Sequence, residues 1–209
     1  RTVGVQGDGR TYSYAVALRQ KGELGQKGKP EQQVEFEQVD SEQKADSGQK
    51  GQLGQHPAQI NWPALMQIAK EIPKHLHQVN RIVYVFGDQP FEQAEAITAT
   101  SINAAALEQL RGADSIVNQV LRKHDLLQLI SQVPVVLTPA SFGVADARSI
   151  AIRTMITNDY MTGIPATPGQ QMPYQALDEM VRRILAEVPK VAAVLYDLTA
   201  KPPGTTEWE

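Results

Sequence analysis

The sequence predicts an α+β fold made of two related β-β-α-β units, with mostly antiparallel sheets and helices packed on one face. The main observation is a repeat. Residues 62–84 and 173–196 both run from a helix with one apolar face, through a proline, to a strand that contains a tyrosine. A stretch with the composition of two strands precedes each of these segments, and together they form the predicted unit.

The repeat divides the chain into a first unit (residues 1–90), a helical connector (91–130) and a second unit (131–209). Residues 21–59 interrupt the first unit and are dominated by Gln, Gly, Lys, Glu and Asp. Such a segment cannot bury enough apolar surface to offset the entropy of ordering it. We therefore expect a flexible insertion, with a short strand around residues 34–39.

The first unit opens with a predicted β-hairpin. Strand-like residues 2–6 and 12–19 flank a turn at 7–10, where Asp-Gly is a strong hairpin signal. Asp8 at the hairpin tip either faces a ligand or is simply a favoured turn residue.

The helix of the first unit is expected to begin after Asn61, a good N-cap, and to kink or end at Pro73. A strand over residues 81–86 completes this unit.

The connector and the second unit are also predicted to contain helices and strands. Helical spacing of apolar residues predicts a helix over 103–124, and strands are predicted over 132–138 and 149–156. A last helix starts near Pro173, and the strand over 192–196 follows it.

Composition and motifs exclude several classes of protein. The net charge of −3 argues against a nucleic-acid or anionic-membrane surface, and no apolar run is long enough to span a bilayer. The absence of Cys removes disulfides, thiolate metal sites and Cys nucleophiles, and it fits a reducing cytosol. Phosphate-loop, dinucleotide-binding, serine-hydrolase and His-Glu-x-x-His motifs are all missing, so the chain is expected to bind and assemble rather than to catalyse.

The terminal arm, Lys201–Glu209, is the most distinctive stretch. Its sequence is Lys-Pro-Pro-Gly-Thr-Thr-Glu-Trp-Glu. Two consecutive prolines fix φ and remove two backbone donors, so we expect a stiff extended arm that presents a cation, two hydroxyls, two carboxylates and an indole. The alternative is a frayed tail whose tryptophan packs on the core, because prolines are also common after a last strand.

Two stretches resemble a known family. Residues 3–12 and 194–209 look like the start and finish of the C-terminal domain of GMP synthase, the glutamine-hydrolysing enzyme. Residues 79–84 and 161–169 resemble the longer form of that domain, which has two subdomains. The resemblance covers most of the chain outside the insertion and two loops.

This resemblance implies a role in converting xanthosine monophosphate (XMP) to GMP with ATP and glutamine. In the family, a glutaminase domain with a Cys nucleophile releases ammonia, and an ATP-pyrophosphatase domain activates the xanthine oxygen. Because the chain begins at Arg1 rather than Met, we expect it to be a piece of a longer polypeptide with both domains upstream. ATP and Mg would belong to the upstream part, and no cofactor is expected in this segment.

The segment itself is expected to bind XMP and to dimerise, as a cytoplasmic homodimer without nucleic-acid or membrane partners. By motif match with the family, the XMP contacts would be Asp8, Gln132, Lys201, Thr206 and Glu207. No catalytic or metal-binding residue is expected. Lys201 suits a 5′-phosphate as a point charge, and the two carboxylates suit ribose hydroxyls or a purine N–H. The alternative is a purely structural dimerisation module with no substrate contact.

Overall fold

The structure is a computed structural model that describes residues 1–6, 9–20, 55–89, 92 and 96–208 of the chain. Within these residues the strands are β1 (Thr2–Gln6), β2 (Gly9–Leu18), β3 (Val79–Phe86), β4 (Val135–Thr138), β5 (Arg148–Ile152) and β6 (Val191–Asp197). The α-helices are α1 (Trp62–His75), α2 (Ala104–Lys123) and α3 (Tyr174–Glu187).

These strands form one mixed sheet in the order β1-β2-β3-β6-β5-β4. In the first unit, β1 and β2 are antiparallel and β2 is parallel to β3, with α1 in the connection between them. In the second unit, β4 and β5 are antiparallel and β5 is parallel to β6, with α3 in the connection. The α+β class and the β-β-α-β order are therefore confirmed, and antiparallel pairing of β3 with β6 joins the two units into one sheet.

The two units match in detail. Helices α1 and α3 both have 14 residues. The parallel strand pairs share a register shift at one place, between Tyr14 and Ala15 and between Arg148 and Ser149. Tyr84 of β3 lies opposite Tyr196 of β6 at the junction of the units. The repeat in the sequence is thus an approximate two-fold repeat in the fold.

One face of the sheet carries the helices and the larger core. The ring of Trp62, from α1, lies 5.2 Å from the ring of Tyr84, 6.1 Å from that of Phe86 and 6.0 Å from that of Tyr196. Buried aliphatic residues of α2 and α3 complete this core, so the prediction of helices on one face holds. The other face has a smaller apolar cluster, and Trp208 of the terminal arm packs against it.

Helix boundaries follow local chemistry, with one exception. The side chain of Asn61 caps α1 by accepting a hydrogen bond from the backbone N–H of Ala64 at 3.2 Å, as predicted. Of the two expectations for Pro73, an end of the helix is wrong, because α1 continues to His75, and a kink stays a prediction. A proline in the last turn removes only one backbone hydrogen bond of a helix that is about to end.

Some expectations fall on residues that the structure does not describe. The hairpin turn with Asp8 lies outside the described residues, and so do residues 21–54 of the insertion with the expected strand at 34–39. Residues Pro57–Gln59 form a short 3₁₀ helix, and the carbonyl oxygen of Pro57 accepts a 2.7 Å hydrogen bond from the indole N–H of Trp62. In the described part of the chain, no helix is long and apolar enough to cross a membrane.

Candidate functional site

The terminal arm turns back onto the sheet, so the expected extended arm is wrong. After β6 the chain turns at Pro202 and Pro203, and both of the peptide bonds that precede these prolines are cis. Gly204 then forms an antiparallel bridge with Gly4 of β1, and the carbonyl oxygen of Pro203 accepts a 2.7 Å hydrogen bond from the backbone of Val5. The arm therefore contacts the first unit although it follows the last strand of the second.

Lys201 lies where the arm meets a loop of the second unit. Its backbone pairs with Gly163 through two hydrogen bonds of 2.8 and 2.9 Å. Its ammonium donates to the carbonyl oxygen of Tyr160 at 2.7 Å and to the hydroxyl of Thr206 at 2.9 Å. Two predicted contact residues, Lys201 and Thr206, are thus in direct contact.

The loop beside Lys201 is shaped by Asp159. Its carboxylate accepts backbone hydrogen bonds from Met161 at 2.9 Å and from Thr162 at 2.8 Å. These bonds, the one from Thr162 first, hold the pKa of Asp159 below its ordinary value. The turn they define directs the Tyr160 carbonyl towards Lys201.

The backbone of Glu207 is held by a hydrogen bond, whereas its side chain is exposed. Its carbonyl oxygen accepts a 2.6 Å hydrogen bond from Arg81. The side chain is exposed, so the carboxylate is open to a ligand. Thr206 lies between Thr205 and Glu207, which both contact Arg81, so its hydroxyl is held beside Lys201.

Gln132 lies near this region without joining it. Its backbone forms two hydrogen bonds with Met155, of 2.8 and 3.2 Å, just before β4. Met155 precedes the loop that contacts Lys201, so Gln132 is connected to Lys201 indirectly, through Met155 and this loop. The structure thus brings Lys201, Thr206 and Glu207 together on the arm, whereas Asp8 lies outside the described residues.

A buried ionic cluster beneath the arm is the feature that the sequence did not reveal. Asp197, at the end of β6, contacts Arg81 of β3 at 3.1 Å and Arg153 at 2.8 Å, and all three side chains are fully buried. Asp197 also accepts a 2.9 Å hydrogen bond from the indole N–H of Trp208 and a 2.8 Å bond from the backbone of Thr199. The signal in the sequence was the presence of Arg81 and Asp197, two charged residues, in strands that are otherwise mostly apolar.

Arg81 connects this cluster to the arm. One terminal nitrogen, Nη1, donates to Asp197, and the other, Nη2, donates to the hydroxyl of Thr205 at 2.6 Å and to the Glu207 carbonyl. The guanidinium also lies 5.4 Å from the centre of the Trp208 ring, within range of a cation–π contact. Gly204 passes close by, and a Cβ there would lie 3.1 Å from nitrogen atoms of Arg81 and Arg153.

The cluster carries one more positive than negative charge. Burial lowers the pKa of Arg81 to about 10, Asp197 opposes this shift and Arg153 adds to it, so Arg81 stays charged at neutral pH. Within the described part of the chain, the Nε of Arg81 and the Nε and Nη2 of Arg153 are buried without a hydrogen-bond partner. Burying two cations with one anion costs free energy. The groups that accept hydrogen bonds from the remaining guanidinium donors are therefore important for the stability of the cluster.

The chemistry of the site is that of binding. It offers an ammonium, a hydroxyl and an exposed carboxylate on a backbone held at both ends. In the described ranges no group of three His, Asp or Glu side chains could hold a metal ion. A cavity of about 500 Å³ lies on the other side of the prolines, and its lining does not include Lys201, Thr206 or Glu207.

Comparison with known proteins gives matches over the whole chain. Residues 119–208 match the family model described as GMP synthase C terminal domain. The chain is 40% identical over its full length to the glutamine-hydrolysing GMP synthase of Dictyostelium discoideum, and 37% identical to the probable GMP synthase of Caenorhabditis elegans. The GMP synthase of Thermus thermophilus is 45% identical over 109 residues, which are 49% of this chain and 21% of that relative.

The chain covers 26% of the length of the Dictyostelium and Caenorhabditis relatives. The structure defines an α+β fold with a folded-back arm that carries one cation and one exposed carboxylate. The matches identify it more closely, and the chain contains the C-terminal domain of the GMP synthase family.

Proposed function

We propose that the chain is the C-terminal part of a GMP synthase and that its arm binds XMP during the ATP- and glutamine-dependent conversion of XMP to GMP. The observation that carries this proposal is the pairing of the Lys201 ammonium with the hydroxyl of Thr206, which directly precedes the exposed residue Glu207. A nucleoside monophosphate needs a cation for its phosphate and acceptors for its hydroxyl and N–H groups.

Lys201 is poised to receive a phosphate. Among the described residues, Tyr160 and Thr206 use two of its three N–H donors, and the third is left for a ligand. An ammonium already oriented by two neutral acceptors loses little entropy when an anion arrives. Thr206 can reorient its hydroxyl towards the same anion.

The remaining steps of the reaction are assigned to other parts of the enzyme. We propose that a glutaminase domain and an ATP-pyrophosphatase domain, with the ATP and Mg that the latter uses, act in the same polypeptide outside this segment, in the cytoplasm. The two relatives named as glutamine-hydrolysing enzymes, each roughly four times as long as this chain, support this division. No cofactor is assigned to the segment.

The test is Lys201→Ala in the full-length enzyme. We expect the KM for XMP to rise about tenfold to a hundredfold, the loss typical of one hydrogen bond between charged groups, while glutaminase activity and oligomeric state stay unchanged. Lys190→Ala is the control, because it removes an exposed lysine that pairs only with Asp146. An unchanged KM for XMP would favour the alternative of a purely structural module.

Dimerisation is a second proposed function, and it follows from the resemblance. Strands β1 and β4 form the two ends of the sheet, and Tyr12 and Tyr14 of β2 are 71% and 53% exposed, so a second copy has a sheet edge and aromatic side chains to contact. Sedimentation velocity over a range of concentrations tests this proposal. A single monomeric species at micromolar concentrations would contradict it.

A further inference from the structure

Arg81 belongs to the first unit, yet most of its side-chain contacts lie elsewhere. Its partners are Asp197, at the end of the second unit's last strand, and Thr205, Glu207 and Trp208 of the arm. Among the described residues of its own unit, the side chain of Arg81 forms one long hydrogen bond, of 3.4 Å, to the carbonyl oxygen of Val3. The donors of Arg81 are therefore directed at the arm.

We propose that Arg81 is a positioning residue for XMP binding, which it serves by holding the arm in the conformation that presents Lys201, Thr206 and Glu207. This inference rests on the proposed function. Arg81 fixes the two backbone neighbours of Thr206, and Thr206 in turn contacts the Lys201 ammonium. Loss of Arg81 would remove the hydrogen bonds that hold Thr205 and Glu207 on either side of Thr206, and would leave that end of the arm attached through Trp208 and Asp197.

The geometry requires arginine rather than lysine. The two terminal nitrogens of the guanidinium divide the work, since Nη1 binds Asp197 and Nη2 binds Thr205 and Glu207. A lysine has one compact ammonium and cannot reproduce this planar fork. Arg81→Lys therefore keeps the charge and removes the link.

A purely structural role explains this residue poorly. An apolar side chain at a buried strand position usually stabilises a fold as well as a buried ion pair does or better. The equivalent position in the second unit shows this, because Ala193 occupies the same register next to the shift and is fully buried. The first unit therefore carries a buried positive charge, Arg81, where the second unit has an alanine, and the strand with Arg81 is the one that lies under the arm.

The experiment uses the full-length enzyme with Arg81→Lys and Thr205→Val. The second variant removes the hydroxyl that Arg81 contacts from the half-buried arm and leaves the buried cluster intact, so it tests the link even if Arg81→Lys folds poorly. The control is Thr138→Val, which removes a threonine hydroxyl bonded to the Ser149 carbonyl in the β4–β5 pair. Hydrogen–deuterium exchange of residues 198–208 and the KM for XMP are measured in each.

We expect faster exchange of the arm in Arg81→Lys and Thr205→Val, with the KM for XMP raised about tenfold in the first and about threefold in the second. The kcat at saturating XMP and the glutaminase activity should change less than twofold. Thr138→Val should change neither the exchange of the arm nor the KM.

The outcomes separate this inference from the proposed function. Unchanged arm exchange and KM in both test variants, with a raised KM in Lys201→Ala, would overturn the role of Arg81 and leave the proposed function standing. Faster exchange with an unchanged KM in all three variants would overturn both the substrate role of the arm and that of Arg81. Faster exchange with a raised KM in the two test variants, together with a raised KM in Lys201→Ala, supports Arg81 as a positioning residue.

Discussion

The two units of this chain share a backbone plan and differ in their polar residues. Both place a 14-residue helix between parallel strands, and both bring a tyrosine to the junction, Tyr84 and Tyr196. The differences lie on the face away from the helices. Arg81 of the first unit corresponds to Ala193 of the second, and Asp197 of the second corresponds to Val85 of the first, by their positions relative to the register shift and to the tyrosines.

This comparison shows how a repeated scaffold produces a single site. If both units carried the arginine and the aspartate, the sheet would offer two equivalent places for an arm. Arg81 from the first unit instead joins Asp197 and Arg153 from the second in a cluster that spans the junction. Only the arm that follows Asp197 is in position to cover it.

The largest effect should come from the aspartate that breaks the repeat. Asp197→Asn leaves two buried guanidinium groups without an anion, and we expect a loss of about 3–5 kcal/mol in the free energy of unfolding. The corresponding Val85→Ala removes only two buried carbons and should cost about 2 kcal/mol. Urea unfolding measures both losses. Equal losses would show that the aspartate of the charge cluster contributes no more to the free energy of unfolding than an apolar side chain at the corresponding position.

A smaller effect is expected where the repeat is preserved. The hydroxyl of Tyr196 donates to the Ala166 carbonyl at 2.6 Å and lies 2.9 Å from the hydroxyl of Thr154, with no exposure to solvent. Tyr196→Phe leaves these buried groups unsatisfied and should cost about 1–3 kcal/mol. Tyr84→Phe is the matched control.

The hydroxyl of Tyr84 is part-buried, where water can replace its contacts with the side chain of Gln55, at 3.5 Å, and with the backbone of Gln20, so its removal should change the free energy of unfolding by less than about 1 kcal/mol. A thermal or urea denaturation series of the two variants measures this difference. Equal changes in the free energy of unfolding for the two variants would contradict this prediction, because the two hydroxyl groups would then contribute equally despite their different contacts.

The smallest effect concerns the two attachments of the arm and their response to pH. Asp159, on the Lys201 side, has a pKa held below its ordinary value of 3.8, so it favours the folded loop above that pH and ceases to do so as the pH falls through the lower folded value. Arg81, on the other side, keeps its charge throughout this range. The difference in Tm between the wild-type protein and Asp159→Asn should therefore be constant near neutral pH and shrink below about 3.8. A difference that grows on acidification would contradict this assignment.

The scaffold was predictable from sequence because it depends on local patterns. Apolar spacing located the three α-helices of the described chain, and the Asn61 cap marked where one of them begins. The duplicated order of helix, proline and tyrosine strand gave the repeat. Pro73 was misjudged because a proline rule gives a tendency, and a helix that ends two residues later loses little by it.

The site was only half predictable. Motif match with the GMP synthase family marked Lys201, Thr206 and Glu207 as candidate contacts, whose substrate role stays a prediction. The buried partners were missed because Arg81, Arg153 and Asp197 are distant in sequence and meet only when β3 pairs with β6. The predicted extension of the arm failed because its direction depends on long-range contacts with β1, which no local rule contains.

The bridge between the arm and β1 also sets an order of events during protein synthesis. Thr205 and Val3, whose side-chain hydroxyl and carbonyl oxygen meet at 3.2 Å, are separated by 202 positions in the chain. A ribosome must translate everything between them before this contact can form. The first unit, although made first, therefore waits with Arg81 incompletely paired until the arm emerges, and the region around Lys201 is among the last parts of the domain to take its shape.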